Sequence, residues 1–296
     1  MSIPSLGFIG PIGFIGLGVM GGPMCRNVVA RHGGAVWAFD ASAAALDEAA
    51  QAGARKAVSV AEVAANADVV FLSLPGGKQV EAVCMELAAA ARPGLTIVDL
   101  STTAVAEARD IAARLADQAI QFIDAPVART RQAAIDGTLS IMVGASPEQF
   151  VRLEPLIAYM ASDVTHCGAV GCGQVVKLVN NALLFEQVAA IAEMMVVAER
   201  AGVAPAKLIE AVGLGSGDSF ALQNHGKKAM APRAFPLKAF PSTYAIKDLG
   251  YAIELAEQVG VEPRVARLAA AFYGEAVEAG LGEEYFPAII KLVDKP

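Results

Sequence analysis

The turn Gly16-Leu17-Gly18-Val19-Met20-Gly21 constrains this chain more than any other segment, because it joins an apolar run, residues 12–16, to a helical run, residues 24–30. In that context each glycine has a physical task. The first permits the tight turn, the second lets backbone approach a pyrophosphate, and the third lets the helix pack closely on the strand. The helix start then offers positive potential to the phosphates. A second apolar run, residues 35–39, ends in Asp40, 24 residues after Gly16. An acid there accepts hydrogen bonds from an adenosine ribose diol and repels a 2′-phosphate, and no arginine follows in Ala41-Ser-Ala-Ala-Ala45. The segment therefore predicts a dinucleotide site built from Gly16, Leu17, Gly18, Val19, Met20, Gly21 and Asp40, taking NAD in preference to NADP.

Short β-rich runs alternate with helical ones through the first half. Candidate strands span 12–16, 35–40, 69–74, 96–100, 122–127, 140–143 and 164–167, mostly as continuous apolar runs, which suits strands covered on both faces. Ala-rich helical stretches lie between them at 41–52 and 103–118, and Ser59 with Glu62 reads as a capping box. After Gly173 the strands stop. Residues 174–201 read as one helix of about 28 residues, about 42 Å long, followed by helices at 205–212, 244–259 and 265–279. The expected fold is α/β: a doubly wound parallel Rossmann sheet (12–170), then an all-α domain (171–296) built on a long interdomain helix. The copy Gly7-Phe-Ile-Gly10 of Gly13-Phe-Ile-Gly16 runs into Pro11, so residues 1–11 read as an N-terminal extension.

Charge and cysteine usage exclude several function classes. A net charge of −7 with no basic block argues against nucleic acid. Cys25, Cys84, Cys167 and Cys172 form no CxxC pair and the three histidines lie far apart, so no metal site is expected. Reduced thiols suit a cytoplasmic protein. The apolar N-terminus lacks a charged n-region, and the run 175–197 carries Lys177, Asn180, Asn181, Glu186, Gln187 and Glu193, too polar for a membrane span. Only 18% of residues are charged, against a usual share of about 25%. So little solvated surface implies helices buried on several sides or a surface covered by another copy. The high apolar content with the long central helix favours a homodimer or homotetramer whose helical domains cover one another.

Lys177, Asn180 and Asn181 sit at i, i+3 and i+4, one polar patch on an otherwise apolar helix. Such a patch faces a cleft or a polar network. The stretch Gly13-Phe-Ile-Gly-Leu-Gly-Val-Met-Gly-Gly-Pro-Met24 closely resembles the opening of the β-hydroxyacid dehydrogenase family. Asp99-Leu-Ser-Thr-Thr103 resembles its DxST segment, and Asp124-Ala-Pro-Val127 with Gly137-Thr-Leu139 its substrate loop. Gly171-Cys-Gly-Gln-Val-Val-Lys177-Leu-Val-Asn180-Asn181 resembles its catalytic GxGxxxKxxNN, and Lys247-Asp248-Leu249 a late KDL motif. The resemblance implies that Lys177 is the catalytic acid–base, with Asn180 or Asn181 orienting it or the substrate. It places Leu74, Pro75, Thr102 and Lys247 along the cofactor and Ser101 with the segment at Ala128 at the substrate; the residues themselves add Arg129, Thr130 and Phe220 as substrate-site candidates. The implied partner is a small anionic hydroxyacid, 3-hydroxyisobutyrate-like, or its semialdehyde. A lysine whose reference pKa is about 10.4 needs burial or a nearby cation to act as a base near neutrality.

The family commonly carries Ser-Gly-Gly where this chain has Ala128-Arg129-Thr130. That departure is closer to the Gly-Arg-Thr loop of sulfolactaldehyde reductases, and it makes Arg129 a candidate fork for a strongly acidic substrate, with solvent or a cofactor phosphate as its other reading. The same fold serves imine reductases, which Lys177 argues against, and non-catalytic dinucleotide-binding modules. Downstream, Phe220, Asn224 and His225 are candidate pocket residues, with a loop surface a close second reading for His225, which is not assigned as an acid.

Overall fold

The computed structural model describes residues 10–237 and 239–294. All of the extension before residue 10 lies outside the described residues. The chain divides into two compact units between Lys177 and Leu178.

The first unit runs β1 (Ile12–Ile15), α1 (Gly21–Arg31), β2 (Val36–Phe39), α2 (Ala43–Gln51), β3 (Arg55–Lys56), α3 (Val60–Asn66), β4 (Val69–Leu72), α4 (Gly77–Ala90), β5 (Thr96–Asp99), α5 (Val105–Ala116) and β6 (Gln121–Asp124). It continues with β7 (Val127–Ala128), α6 (Arg131–Asp136), β8 (Leu139–Gly144), α7 (Pro147–Ile157), β9 (Ala161–Gly168) and the start of α8 (Cys172–Arg200). The sheet order is β3-β2-β1-β4-β5-β6-β8-β7, with β9 on β8. Pairing is parallel from β3 to β6, whereas β8 runs antiparallel to β6 and β7. The doubly wound, parallel-dominated sheet is the one expected. One predicted strand, 122–127, is broken in two at Ala125-Pro126, since proline has no N–H for the ladder.

Alternate residues of the central strands face opposite layers. Ile12, Phe14, Phe71 and Val98 pack with Met24 and Val28 of α1 and Leu153 of α7. Ile15, Val70, Leu72 and Ile97 pack with Val63 of α3, Leu87 of α4 and Ile111 of α5. Covering on both faces is why these strands read as continuous apolar runs. At the start of α3, Ser59 accepts the Glu62 N–H, while the Glu62 carboxylate reaches past Ser59 to the Val58 N–H. The full reciprocal box instead opens α7, at Ser146 and Gln149.

The second unit contains most of α8, then α9 (Pro205–Val212), a π-helical segment Leu222–Met230, α10 (Ser242–Gln258), α11 (Arg264–Ala276) and α12 (Ile290–Val293). Phe185, Val188, Leu249, Tyr273, Phe286 and Ile289 form its core. Among the described residues α8 is the one helix long and apolar enough to cross a membrane. Its buried face, Phe185, Val188, Ala192 and Met195, belongs to that core. Its other face exposes Val176, Val179, Leu183, Met194 and Val197 at helical spacing.

Candidate active site

The residues singled out in the first unit gather at the carboxyl ends of parallel strands, where open α/β sheets bind their ligands. Gly16 follows β1 with φ 92°, and a Cβ there would overlap the Ser73 carbonyl. A Cβ on Gly21 would overlap the Gly16 carbonyl, whereas one on Gly18 meets nothing within 4 Å. The turn is thus closed on the protein side and open at Gly18, as a pyrophosphate requires. No acidic side chain stands in the first turn of α1 and no side chain caps it, so its N–H groups are left for an anion. Leu17 is buried and Val19 half-exposed. Asp40, at the end of β2, accepts from the Leu17 N–H at 2.6 Å and the Ser42 N–H at 2.7 Å. Its carboxylate therefore both shapes the turn and presents negative charge beside it. These features fit an NAD-type dinucleotide.

A chain of hydrogen bonds then joins three sequence motifs. The Ser101 hydroxyl accepts from the Leu74 N–H at 2.9 Å, and the Asp99 carboxylate accepts from the Ser101 N–H at 2.9 Å. Gln174, fully buried on α8, donates to the Ser101 carbonyl at 2.9 Å and accepts from the Thr103 N–H at 3.2 Å. Asp124, fully buried at the end of β6, accepts from the Gly171 N–H at 2.7 Å and the Gln174 N–H at 2.8 Å. Its two oxygens cap the start of α8, a charge-assisted arrangement at the positive end of a helix. Burial nevertheless pushes this carboxyl up to about 6, against the backbone bonds that pull it down. The sequence motif contains Asp124 and Gln174, but bonds spanning 47 to 73 residues leave no periodic signal by which either could be singled out. Ser101 lies buried inside this network and Thr102 is half-buried beside it.

Lys177 follows Gln174 by three residues on the same helix and is 8% exposed. In the second unit, Asn180 donates to the Asn181 amide oxygen at 3.1 Å, and Asn181 donates to Asp248 at 2.7 Å. Lys247 pairs with Asp248 at 3.3 Å and lies over the rings of Tyr244 and Tyr251. Asp248, buried, thus anchors the asparagine pair and the late lysine together, a role that no spacing announced. Phe220 is 52% exposed. His225 lies buried in the π-helical segment and not on a loop surface, its Nδ1 2.7 Å from the Tyr285 hydroxyl. Burial, with the Lys228 charge, drives its pKa down to about 4, so the ring is neutral near pH 7.

Ala128 is buried at the end of β7, and Thr130 caps α6 by accepting the Ala133 N–H at 3.4 Å. Arg129 has φ 85°, the left-handed region. That conformation costs a residue with a Cβ about 1–2 kcal/mol. Its guanidinium donates to the Thr138 carbonyl at 2.7 Å and to the Ser162 hydroxyl at 2.8 Å, and pairs with Asp163 at 2.7 Å. Among the described residues no group of three metal-ligating side chains is present.

Two family patterns match the chain: the NAD binding domain of 6-phosphogluconate dehydrogenase over residues 11–168, and the NAD-binding domain of NADP-dependent 3-hydroxyisobutyrate dehydrogenase over residues 171–293. The 2-(hydroxymethyl)glutarate dehydrogenase of Eubacterium barkeri is 34% identical over 284 residues, covering 95% of this chain and 94% of that relative. The NAD-dependent L-serine dehydrogenase of Pseudomonas aeruginosa is 33% identical over 292 residues, covering 96% and 97%. Among solved structures, the 3-hydroxyisobutyrate dehydrogenase of Mycobacterium tuberculosis with L-serine superposes with a TM-score of 0.89 at 32% identity, covering 97% of this chain and 99% of that one.

Proposed function

The chain belongs to the β-hydroxyacid dehydrogenase family, NAD-dependent oxidoreductases of small hydroxyacids, and we propose that it interconverts a 3-hydroxyisobutyrate-like 3-hydroxyacid and its semialdehyde, with Lys177 as general acid–base. The observation that carries this reading is the placement of Lys177: buried, and one turn beyond a helix start bound to the sheet by Asp124 and Gln174. Bound NAD supplies the hydride acceptor. In oxidation Lys177 takes the substrate hydroxyl proton at Nζ, and in reduction it returns that proton to the developing alkoxide. Asn180 and Asn181, held in line by Asp248, orient the lysine or the substrate, while Lys247 serves the cofactor and Phe220 the substrate. Leu74, Pro75 and Thr102 border the cofactor. Ser101 and the loop Ala128–Thr130 meet the substrate's carboxylate. A strongly acidic semialdehyde gripped by Arg129 is the weaker reading, because the Asp163 carboxylate already pairs with that guanidinium.

The test is NAD and NADP turnover by the purified protein across 3-hydroxyisobutyrate, L-serine, 2-(hydroxymethyl)glutarate, glycerate and sulfolactate. Turnover of a simple 3-hydroxyacid above the rest supports the reading; turnover of sulfolactate alone overturns it.

The Asp40 carboxylate predicts a cofactor switch. Asp40→Ser removes the charge facing a 2′-phosphate and the bond to the Leu17 N–H. We expect NAD kcat/KM to fall about tenfold, as for loss of one charge-assisted hydrogen bond, while NADP kcat/KM rises. Paired steady-state assays with the two cofactors check it. The exposed apolar stripe Val176, Val179, Leu183, Met194 and Val197 on α8 supports assembly as a homodimer or homotetramer, which light scattering reads directly.

A further inference from the structure

We infer that Arg129 selects substrate from behind the loop: its guanidinium ties the neck of the segment 129–138 to a bulge on β9 and leaves the substrate's anion to the loop's own backbone. Arg129 is thus a positioning residue, an inference that rests on the reading of the loop Ala128–Thr130 as the substrate's carboxylate site.

Three features of the chain converge on this neck. First, β8 and β9 lose register where the loop returns. Leu139 pairs with Ala161 but Ser140 pairs with Asp163, so Ser162 is an extra residue, a β-bulge that re-aims its side chain. Second, the Ser162 hydroxyl receives one Arg129 N–H at 2.8 Å and donates its own proton to Asp163 at 2.7 Å. Asp163 pairs with the other guanidinium nitrogen at 2.7 Å, and these two bonds hold its carboxyl below the usual range. The guanidinium therefore faces a fixed anion that a substrate carboxylate has to displace. Third, Arg129 also donates to the Thr138 carbonyl at 2.7 Å, so one side chain links the first and the last residue of the excursion. Between them, Thr130 caps α6 and Gly137 closes it in the left-handed conformation at φ 68°.

The positive φ of Arg129 fits the same account. Where glycine takes this conformation freely, a residue with a Cβ is held there by its surroundings. The guanidinium's three partners are those surroundings. The loop keeps a glycine-like backbone while gaining a lock that glycine lacks.

The two roles for Arg129 predict opposite signs for one variant. In the full-length enzyme, Asp163→Asn loosens the lock, and we expect KM for the preferred hydroxyacid to rise about fivefold, as for loss of one exposed ion pair. The kcat and the KM for NAD stay near wild type. Arg129→Gly keeps the backbone conformation without the lock and raises the hydroxyacid KM; Arg129→Ala loses both and raises it further. If instead the guanidinium grips the substrate, Asp163→Asn frees it and KM falls, while Arg129→Gly and Arg129→Ala are equally damaging. A KM unchanged in Asp163→Asn also overturns the inference. Hydrogen exchange of the amides at 130–137, measured without substrate, reads the lock itself: faster exchange in Asp163→Asn and Arg129→Gly is expected, and unchanged exchange rejects it. Should the wild-type protein turn over no hydroxyacid, the functional reading fails, and the exchange measurement still decides on the lock.

Discussion

Replacing Lys177 by Ala is expected to lower kcat/KM for the preferred hydroxyacid by about 10²–10⁴, the range a positioned acid–base group supplies. Binding of NAD, measured by calorimetry, stays intact, because the turn Gly16–Gly21 and Asp40 lie on other elements. Lys177→Arg does not rescue the rate: a guanidinium keeps its proton at every accessible pH. Lys177 is buried on a helix whose first turn is anchored to the sheet, so thermal unfolding accompanies the kinetics to separate lost chemistry from lost structure. A Lys177→Ala variant that stays within tenfold of wild type would move the proton transfer to another group.

Asp124→Asn is expected to lower kcat about 10–100-fold with the chain still folded. An amide offers one acceptor oxygen where the carboxylate offers two, and its NH₂ group faces an N–H of Gly171 or Gln174. The first turn of α8 then shifts, and a displacement of about 1 Å at a catalytic group can cost about 10² in rate. The same residue gives stability a pH dependence of determinate sign. Its folded pKa, about 6, lies above the unfolded value, which is about 3.9. The folded chain therefore holds this proton more tightly, and the associated stabilisation is fully present below about pH 4 and lost as pH rises through about 6. Relative to Asp124→Asn, wild-type unfolding free energy should fall by about 1–2 kcal/mol between pH 5 and pH 8. Chemical denaturation at the two pH values measures it. A kcat within twofold of wild type, or an opposite sign, rejects the cap as a positioning device.

The parts of the molecule set by local chemistry were readable in advance. Apolar runs with turn residues between them locate the parallel strands; Gly16 and Gly21 announce the turn because a Cβ has no room at either, and Gly18 because a pyrophosphate must approach its backbone. The Lys177, Asn180 and Asn181 patch is visible because helical spacing places these residues together. What was not readable depends on partners far away in the chain. Asp124 reaches 47 and 50 residues to α8, and Arg129 reaches 33 to Ser162. The two-residue strand β3 (Arg55–Lys56) is exposed and polar, so no periodicity marks it. The π-helical segment around His225 resembles a loop in sequence, because its Asn224-His225-Gly226 carries no helix-forming preference. Burial by Phe220, Tyr285 and Phe286 overrides that local composition.

Gly144 and Gly173 close on Asp124 from the sheet and the helix. A Cβ on Gly144 would overlap the carboxylate, and one on Gly173 would meet both it and the Met142 carbonyl. Most single substitutions here strike the same pair of bonds, though the sites are separated by tens of residues. A side chain introduced at Gly144 or Gly173 therefore threatens the same cap as loss of Asp124 itself. A chimera that joins a foreign α8 to this sheet is expected to keep the cap only if the incoming helix carries glycine at the position of Gly173.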